Sequence, residues 1–269
     1  MLHSALQIKN PAEIPLFREM IKYFKNTYPQ NVVTIEEKHK HIVIFDCYDP
    51  NHPQNQFSNI HKEISDLLII TYSANKKQAR ATFLQAKWKA TCLNPFRFRG
   101  DVFQYLLLNQ RPLFAHIKAP SSQDSILHNA ILDSIGSYGV FYQKTTKDIE
   151  FAFAAAQEIS LYSSLPFSKK NKGRVFKILS TVKKVSIITH LGYLCYDTRV
   201  LYGADDFEQA LLSFSVGSPI DLVQLSNLLS PYLANSPELT KTFQDMSLVY
   251  VENGVKLANN ILIINIDEL

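Results

Sequence analysis

The chain has 269 residues, long for one domain and short for two large ones, and its 46% apolar and 12% aromatic content excludes a disordered polymer. A formal charge of +4 permits a nucleic-acid partner but excludes a protein that simply coats DNA, which would be far more basic. Cys47, Cys92 and Cys195 have no CxxC spacing, which argues against a disulfide framework or a cysteine zinc site. The start, MLHSALQIKNPAEI, lacks the basic and apolar blocks of a signal peptide, and no run is long enough to span a membrane, so a cytoplasmic protein is expected.

In chain order, Asn10-Pro11-Ala12-Glu13 reads as a helix start, with Asn10 as cap and Pro11 in the first turn. Ile14, Phe17, Ile21 and Phe24, with Met20 beside them, give an amphipathic helix ending before Pro29. Residues 32–35 and 41–48 read as strands, joined as a hairpin around 36–40, and 49–56 as a loop with two prolines. Residues 66–72 and 81–88 are two apolar strands joined by a polar turn at 73–78. Asn94-Pro95 breaks the pattern up to Gly100, and Asp101 caps a helix over 102–109.

Beyond Arg111 the expected elements are a strand at 137–143, an alanine-rich helix at 149–161, a basic loop at 167–173 and strands at 185–189 and 192–196. Helices at 205–214, 219–233 and 237–248 follow, then a short apolar terminal strand at 261–266. No internal repeat is visible.

Side chains alternate along a strand, so Gln85 and Lys87 point one way and Ala86 the other. Asp66 heads the neighbouring strand and can sit beside them. An acid, an amide oxygen and a lysine then crowd an edge of otherwise apolar residues, where polar groups are costly unless paired, which marks a candidate site.

Asp66 followed on the next strand by Gln85-Ala86-Lys87 resembles the PD-(D/E)XK nuclease superfamily, in its Gln-X-Lys variant. The resemblance covers roughly residues 11–115. It implies an α/β fold: a restriction-endonuclease-like core of helix, mixed β-sheet meander and helix within 1–115. Residues 116–269 then form an α/β extension for substrate recognition or dimerisation. It also implies Mg2+ or Mn2+ held by Asp66, Gln85 and the Ala86 carbonyl, with Lys87 orienting the attacking water and stabilising negative charge. Gln85 departs from the commoner acid: its oxygen still ligates a hard cation but brings no charge. A further acid is therefore expected, Glu63 ahead of Glu13 and Glu19.

The expected function is that of a metal-dependent endonuclease cutting DNA in bacterial or phage defence, with RNA cleavage by the same chemistry left open. It would act as a homodimer or beside a partner subunit of a defence complex. The alternative is a nuclease fold without cleavage, a nucleic-acid-binding or assembly subunit, for which Gln85 is the hint. Lys89, Arg97 and Arg99, with Trp88, Phe96 and Phe98 between them, are candidate phosphate contacts, as is the cluster Lys169, Lys170, Lys172 and Arg174 followed by Lys177. Solvated loops explain both strips equally well. His39, His41, Asp46, His52 and His61 fit no zinc spacing, and no Gly-x-Ser-x-Gly elbow is present.

Overall fold

The structure, a computed structural model, describes residues 1–89, 96–145, 148–179, 181–188, 194–252, 254–267 and 269, without the side chains of 120–122. Its helices are α1 (Leu2–Ala5), α2 (Glu13–Thr27), α3 (Val102–Gln110), α4 (Ala204–Leu212), α5 (Leu222–Leu233) and α6 (Leu239–Met246). Strands in the first part are β1 (Val32–Glu36), β2 (Ile42–Asp49), β3 (His52–Glu63), β4 (Leu67–Ser73), β5 (Gln78–Lys89), β6 (Arg97–Asp101), β7 (Phe114–His116) and β8 (Ala119–Asp124). The rest are β9 (Gly136–Thr145), β10 (Asp148–Ala155), β11 (Ile159–Leu161), β12 (Gly173–Ile178), β13 (Lys183–Ile188), β14 (Leu194–Tyr202), β15 (Ser218–Ile220) and β16 (Asn260–Asn265).

One large mixed sheet runs β1-β16-β4-β5-β9-β10-β14-β13. Strand β15 pairs the first residues of β5, and β9 runs parallel to the remainder. The two small sheets are β3-β2-β7-β8 and β11-β12-β6. Helices α1, α2 and α4 cover one face of the large sheet, around Leu84, Ala86, Phe151, Phe207 and Leu262. The other face, with Phe83, Tyr138 and Ile263, is covered by α3, α5, α6 and the small sheets. Burial on both faces is why β4 and β16 read as unbroken apolar runs. Strands β1, β4 and β5 thus share one sheet with β9, β10, β13, β14, β15 and β16, and β16 lies between β1 and β4 with its parallel partner in β4. No helix among the described residues is long and apolar enough to cross a membrane.

Several expected elements fall where the sequence puts them: Asp101 caps α3 by accepting from the Phe103 and Gln104 amides, and β4, β5, β9 and β16 occupy their apolar runs. Others differ for physical reasons. The N-cap of α2 is Ala12 rather than Asn10, and its buried stripe is Leu16, Phe17, Met20 and Phe24, with Ile14 left 63% exposed. Strands β1 and β2 form no hairpin; β1 pairs β16, and β2 pairs β3, which absorbs residues 52–56 of the expected loop. Residues 148–155 form strand β10, not a helix. Phe151 and Phe153 enter one core while Ala152 and Ala154 enter the other, a period of two that the alanine content disguises. Pro219 belongs to β15, and α5 starts only at Leu222, where Asp221 and Gln224 form a capping box. Cys92, Asn94 and Pro95, and Gly192 of the expected strand at 192–196, lie outside the described residues.

Helix α3 lies close against the start of β9. A Cβ on Gly136 would stand 2.9 Å from the Leu108 carbonyl oxygen, so this approach requires glycine. The crossover through α3 carries the chain from β5 to β9, which then runs alongside the residues of the Asp66 corner: Gln85 pairs with Tyr138 and Lys87 with Val140.

Candidate active site

Asp66 stands one residue before β4, and its amide donates to the Leu84 carbonyl at 3.1 Å, extending the β4–β5 ladder. This fixes the carboxylate against the far half of β5. Asp66 Oδ2 accepts from the Ala86 amide at 2.8 Å and from Gln85 Nε2. The Asp66 carbonyl in turn accepts from Asn260 Nδ2 at 3.0 Å, at the head of β16. The two central strands and the terminal strand therefore position one acid.

Burial pushes the Asp66 carboxyl up to about 6. The Lys87 ammonium and the Ala86 N–H pull it down, while the Glu13 and Glu63 carboxylates add to the rise. Lys87 Nζ donates to the Ala86 carbonyl and lies 3.5 Å from Glu13 Oε1, with the Lys87 side chain only 14% exposed. Glu13 opens α2, so the helix delivers its first acid to the end of β5. Glu63, the last residue of β3, lies in the other sheet; its carboxylate accepts from Asn259 Nδ2 and from Lys40 Nζ at 3.3 Å. Glu19 pairs along its own helix with Lys22. Of the three candidate acids, Glu13 is the one that meets Lys87.

Glu13, Glu63, Asp66 and Ala86 line one cleft of about 820 Å³, with Arg18 and Lys25 of α2 on its wall. Gln85 is 3% exposed, and its Oε1 is buried without a partner. Exchanging the amide atoms would bring that oxygen against the Asp66 carboxylate, a repulsive arrangement unless Asp66 is protonated. Among the described residues, no three His, Cys, Asp or Glu side chains gather into a metal-ligand set, the histidines at 39, 41, 52 and 61 included. His41 instead lies beside His116, with ring centroids 6.2 Å apart and ring planes tilted by 39°.

The candidate phosphate contacts divide into engaged and free groups. Lys89 donates to the Arg97 carbonyl and lies over the Phe96 ring. Arg174 is spent on the carbonyls of Pro166 and Gly173 and on Asn171 Oδ1, Lys169 on the Ser58 carbonyl, and Lys172 on Asp101. These contacts shape the 165–172 segment. Lys170 and Arg99 are exposed, and Arg97 lies over the Tyr162 ring.

Two contributors escaped the sequence reading. Asn259 and Asn260 hold Glu63 and Asp66, and their only signal is an amide pair heading an apolar strand. Glu13 was visible as the first acid after the prolyl helix start, but its approach to Lys87 depends on how α2 docks. No protein-family model, curated protein or solved structure matches the chain.

Proposed function

We propose that the chain is a metal-dependent nuclease of the PD-(D/E)XK type, acting at Asp66, Lys87 and Glu13. The observation that carries this reading is that Asp66 before β4, Ala86 of β5 and Glu13 at the start of α2 line one cleft, with Lys87 Nζ between the Ala86 carbonyl and Glu13. The order of α2, the strands β1, β4 and β5 of one sheet, and α3 supports a restriction-endonuclease-like core. The insertion of β16 between β1 and β4 departs from a simple meander.

The donor set suits a hard cation. It offers two cleft-lining carboxylates, Asp66 and Glu13, whereas Gln85 turns its Nε2 rather than its Oε1 to Asp66. Magnesium or manganese, when bound, supplies charge neutralisation at the phosphate and a water of lowered pKa. Asp66 serves only when ionised, and the Ala86 N–H and the Lys87 ammonium favour that form. Lys87 holds the attacking water by donating to it and faces the negative charge that grows on the phosphate oxygens. Glu13 keeps the ammonium in place from the helix side.

A second reading has its own observation. Asp66 Oδ2 already accepts two hydrogen bonds, one from Gln85, which suits a closed structural corner in a non-cleaving nucleic-acid-binding or assembly subunit. Incubation of plasmid, single-stranded DNA and RNA with magnesium or manganese, wild type beside Lys87→Ala, separates the two. Metal-dependent cutting that disappears in the variant supports the nuclease. Equal cutting by both proteins, or none by either, removes Lys87 from catalysis and favours the second reading.

A further inference from the structure

The small sheet β11-β12-β6 has an inner and an outer face. Phe98 pairs with Phe176, and both are buried with Ile159 and Ile178. Alternation then sends the intervening residues outward: Arg97 opposite Lys177, Arg99 opposite Val175, and Ser160 opposite Lys177 on the third strand. Tyr162 follows β11 on the same side as Ser160, its amide donating to the Val175 carbonyl at 2.9 Å. Tyr162 is 52% exposed, and the Arg97 guanidinium carbon lies 3.7 Å from its ring centroid. One side of the ring is thus held by a cation, and the rest is presented to solvent.

The charge on this face is one-sided. Its acid, Asp101, is already engaged by Lys62 at 2.6 Å and by the amides it caps. Among the described residues, Arg99 and Lys177 have no ion-pair partner. An exposed aromatic ring flanked by uncompensated cations matches a strand with π-faces and regularly spaced phosphates. An acidic peptide would call for forked arginine–carboxylate bonds, whereas Arg97 is turned onto the tyrosine. A duplex hides its base faces in its own stack, so the ring suits unpaired bases.

We propose that the outer face of β11-β12-β6 is a stacking platform for single-stranded nucleic acid, with Tyr162 under a base and Arg99 and Lys177 at flanking phosphates. This rests on the reading of the chain as a protein acting on nucleic acid, and it narrows the substrate to a single strand. Strand β6 links platform and site: a Cβ on Gly100, on its inner side, would lie 3.9 Å from Lys87 Cε.

The test is anisotropy of a labelled single-stranded oligothymidylate with the full chain in EDTA, so that nothing is cut. The wild type should bind this strand more tightly than the matching duplex or inorganic polyphosphate. Tyr162→Ala should weaken binding about tenfold while Tyr162→Phe leaves it unchanged, as expected for the loss of one stacked base. Arg99→Ala and Lys177→Ala should each flatten the salt dependence by about 0.7 in the log–log slope. Wild-type binding by Tyr162→Ala, equal affinity for duplex or polyphosphate, or no binding at all overturns the platform. Should Tyr162→Ala fail to fold by circular dichroism, the two cation variants decide by their salt slopes. Binding here together with no cutting when magnesium or manganese is added leaves the platform standing and removes only the nuclease reading; metal-dependent cutting together with wild-type binding by Tyr162→Ala does the reverse.

Discussion

Two acidic clusters in this protein use the same residue types and reach different electrostatic ends. Around Asp133, Asp197 and Glu158, the acids are met by cations directly. Arg111 and Arg199 lie 2.5 and 2.7 Å from Asp133, Arg199 Nε lies 2.9 Å from Asp197, and Lys183 lies 2.6 Å from Glu158. Asp66 is held instead by an amide side chain and a backbone N–H, while its nearest ammonium donates to a carbonyl and pairs with Glu13. The first cluster is closed and ties β14 to the two short turns around 133 and 158. The second keeps a partly desolvated carboxyl beside a cleft. The contrast separates charge used for architecture from charge left available for chemistry.

The largest expected effect comes from breaking the open cluster. On the proposed nuclease reading, Lys87→Ala should lower metal-dependent cleavage by about 10²–10⁴-fold, read in initial rates, and on either reading it should drive the Asp66 pKa further up by removing the charge that lowers it. Breaking the closed cluster should act on stability instead. Arg199→Ala removes the cation shared by Asp133 and Asp197 and should cost about 3–5 kcal/mol in urea unfolding, with cleavage per folded molecule unchanged. A loss below about 1 kcal/mol would mean that the network is closed in geometry only.

Asp66→Asn sharpens the contrast through pH. The folded carboxyl titrates near 6 against an ordinary 3.8, so between these values the folded state holds the extra proton and stability falls as pH rises. The penalty is complete above about pH 6 and absent below about pH 4. Asp66→Asn should therefore stabilise the protein at neutral pH by up to about 2–3 kcal/mol and leave it unchanged in acid, measured as unfolding free energy against pH. If the chain is the proposed nuclease, its cleavage should decline as pH falls through 6, because the acid form of Asp66 would not ligate a cation. The smallest effect is expected at the cleft rim. Lys40 is 75% exposed, so Lys40→Ala should change stability by less than about 0.5 kcal/mol despite its pairing with Glu63.

The local part of the site was legible in the chain. Alternation in β5 separates Ala86 from Gln85 and Lys87, and an acid heading the preceding strand must come beside them once the two strands pair. Glu13 was legible as a residue but not as a partner, because its distance to Lys87 depends on the packing of Leu16, Phe17, Met20 and Phe24 against the sheet. The expected helix over 149–161 failed because alanine's helical preference is weak beside burial on both faces of a central strand. The basic cluster at 169–174 read as phosphate contacts or a solvated loop; what the sequence did not show is that carbonyls and Asp101 engage Lys169, Lys172 and Arg174.

By itself, the sequence determined the buried strands β4, β5 and β16, the cap of α3 and the alternation that groups Gln85 with Lys87, since these depend on neighbours a few residues apart. Only the tertiary structure decided that β16 enters between β1 and β4 to bring Asn259 and Asn260 to the site, and that α2 sets Glu13 against Lys87. Those contacts join residues far apart in the chain, and they are fixed by which apolar faces bury one another rather than by any local preference.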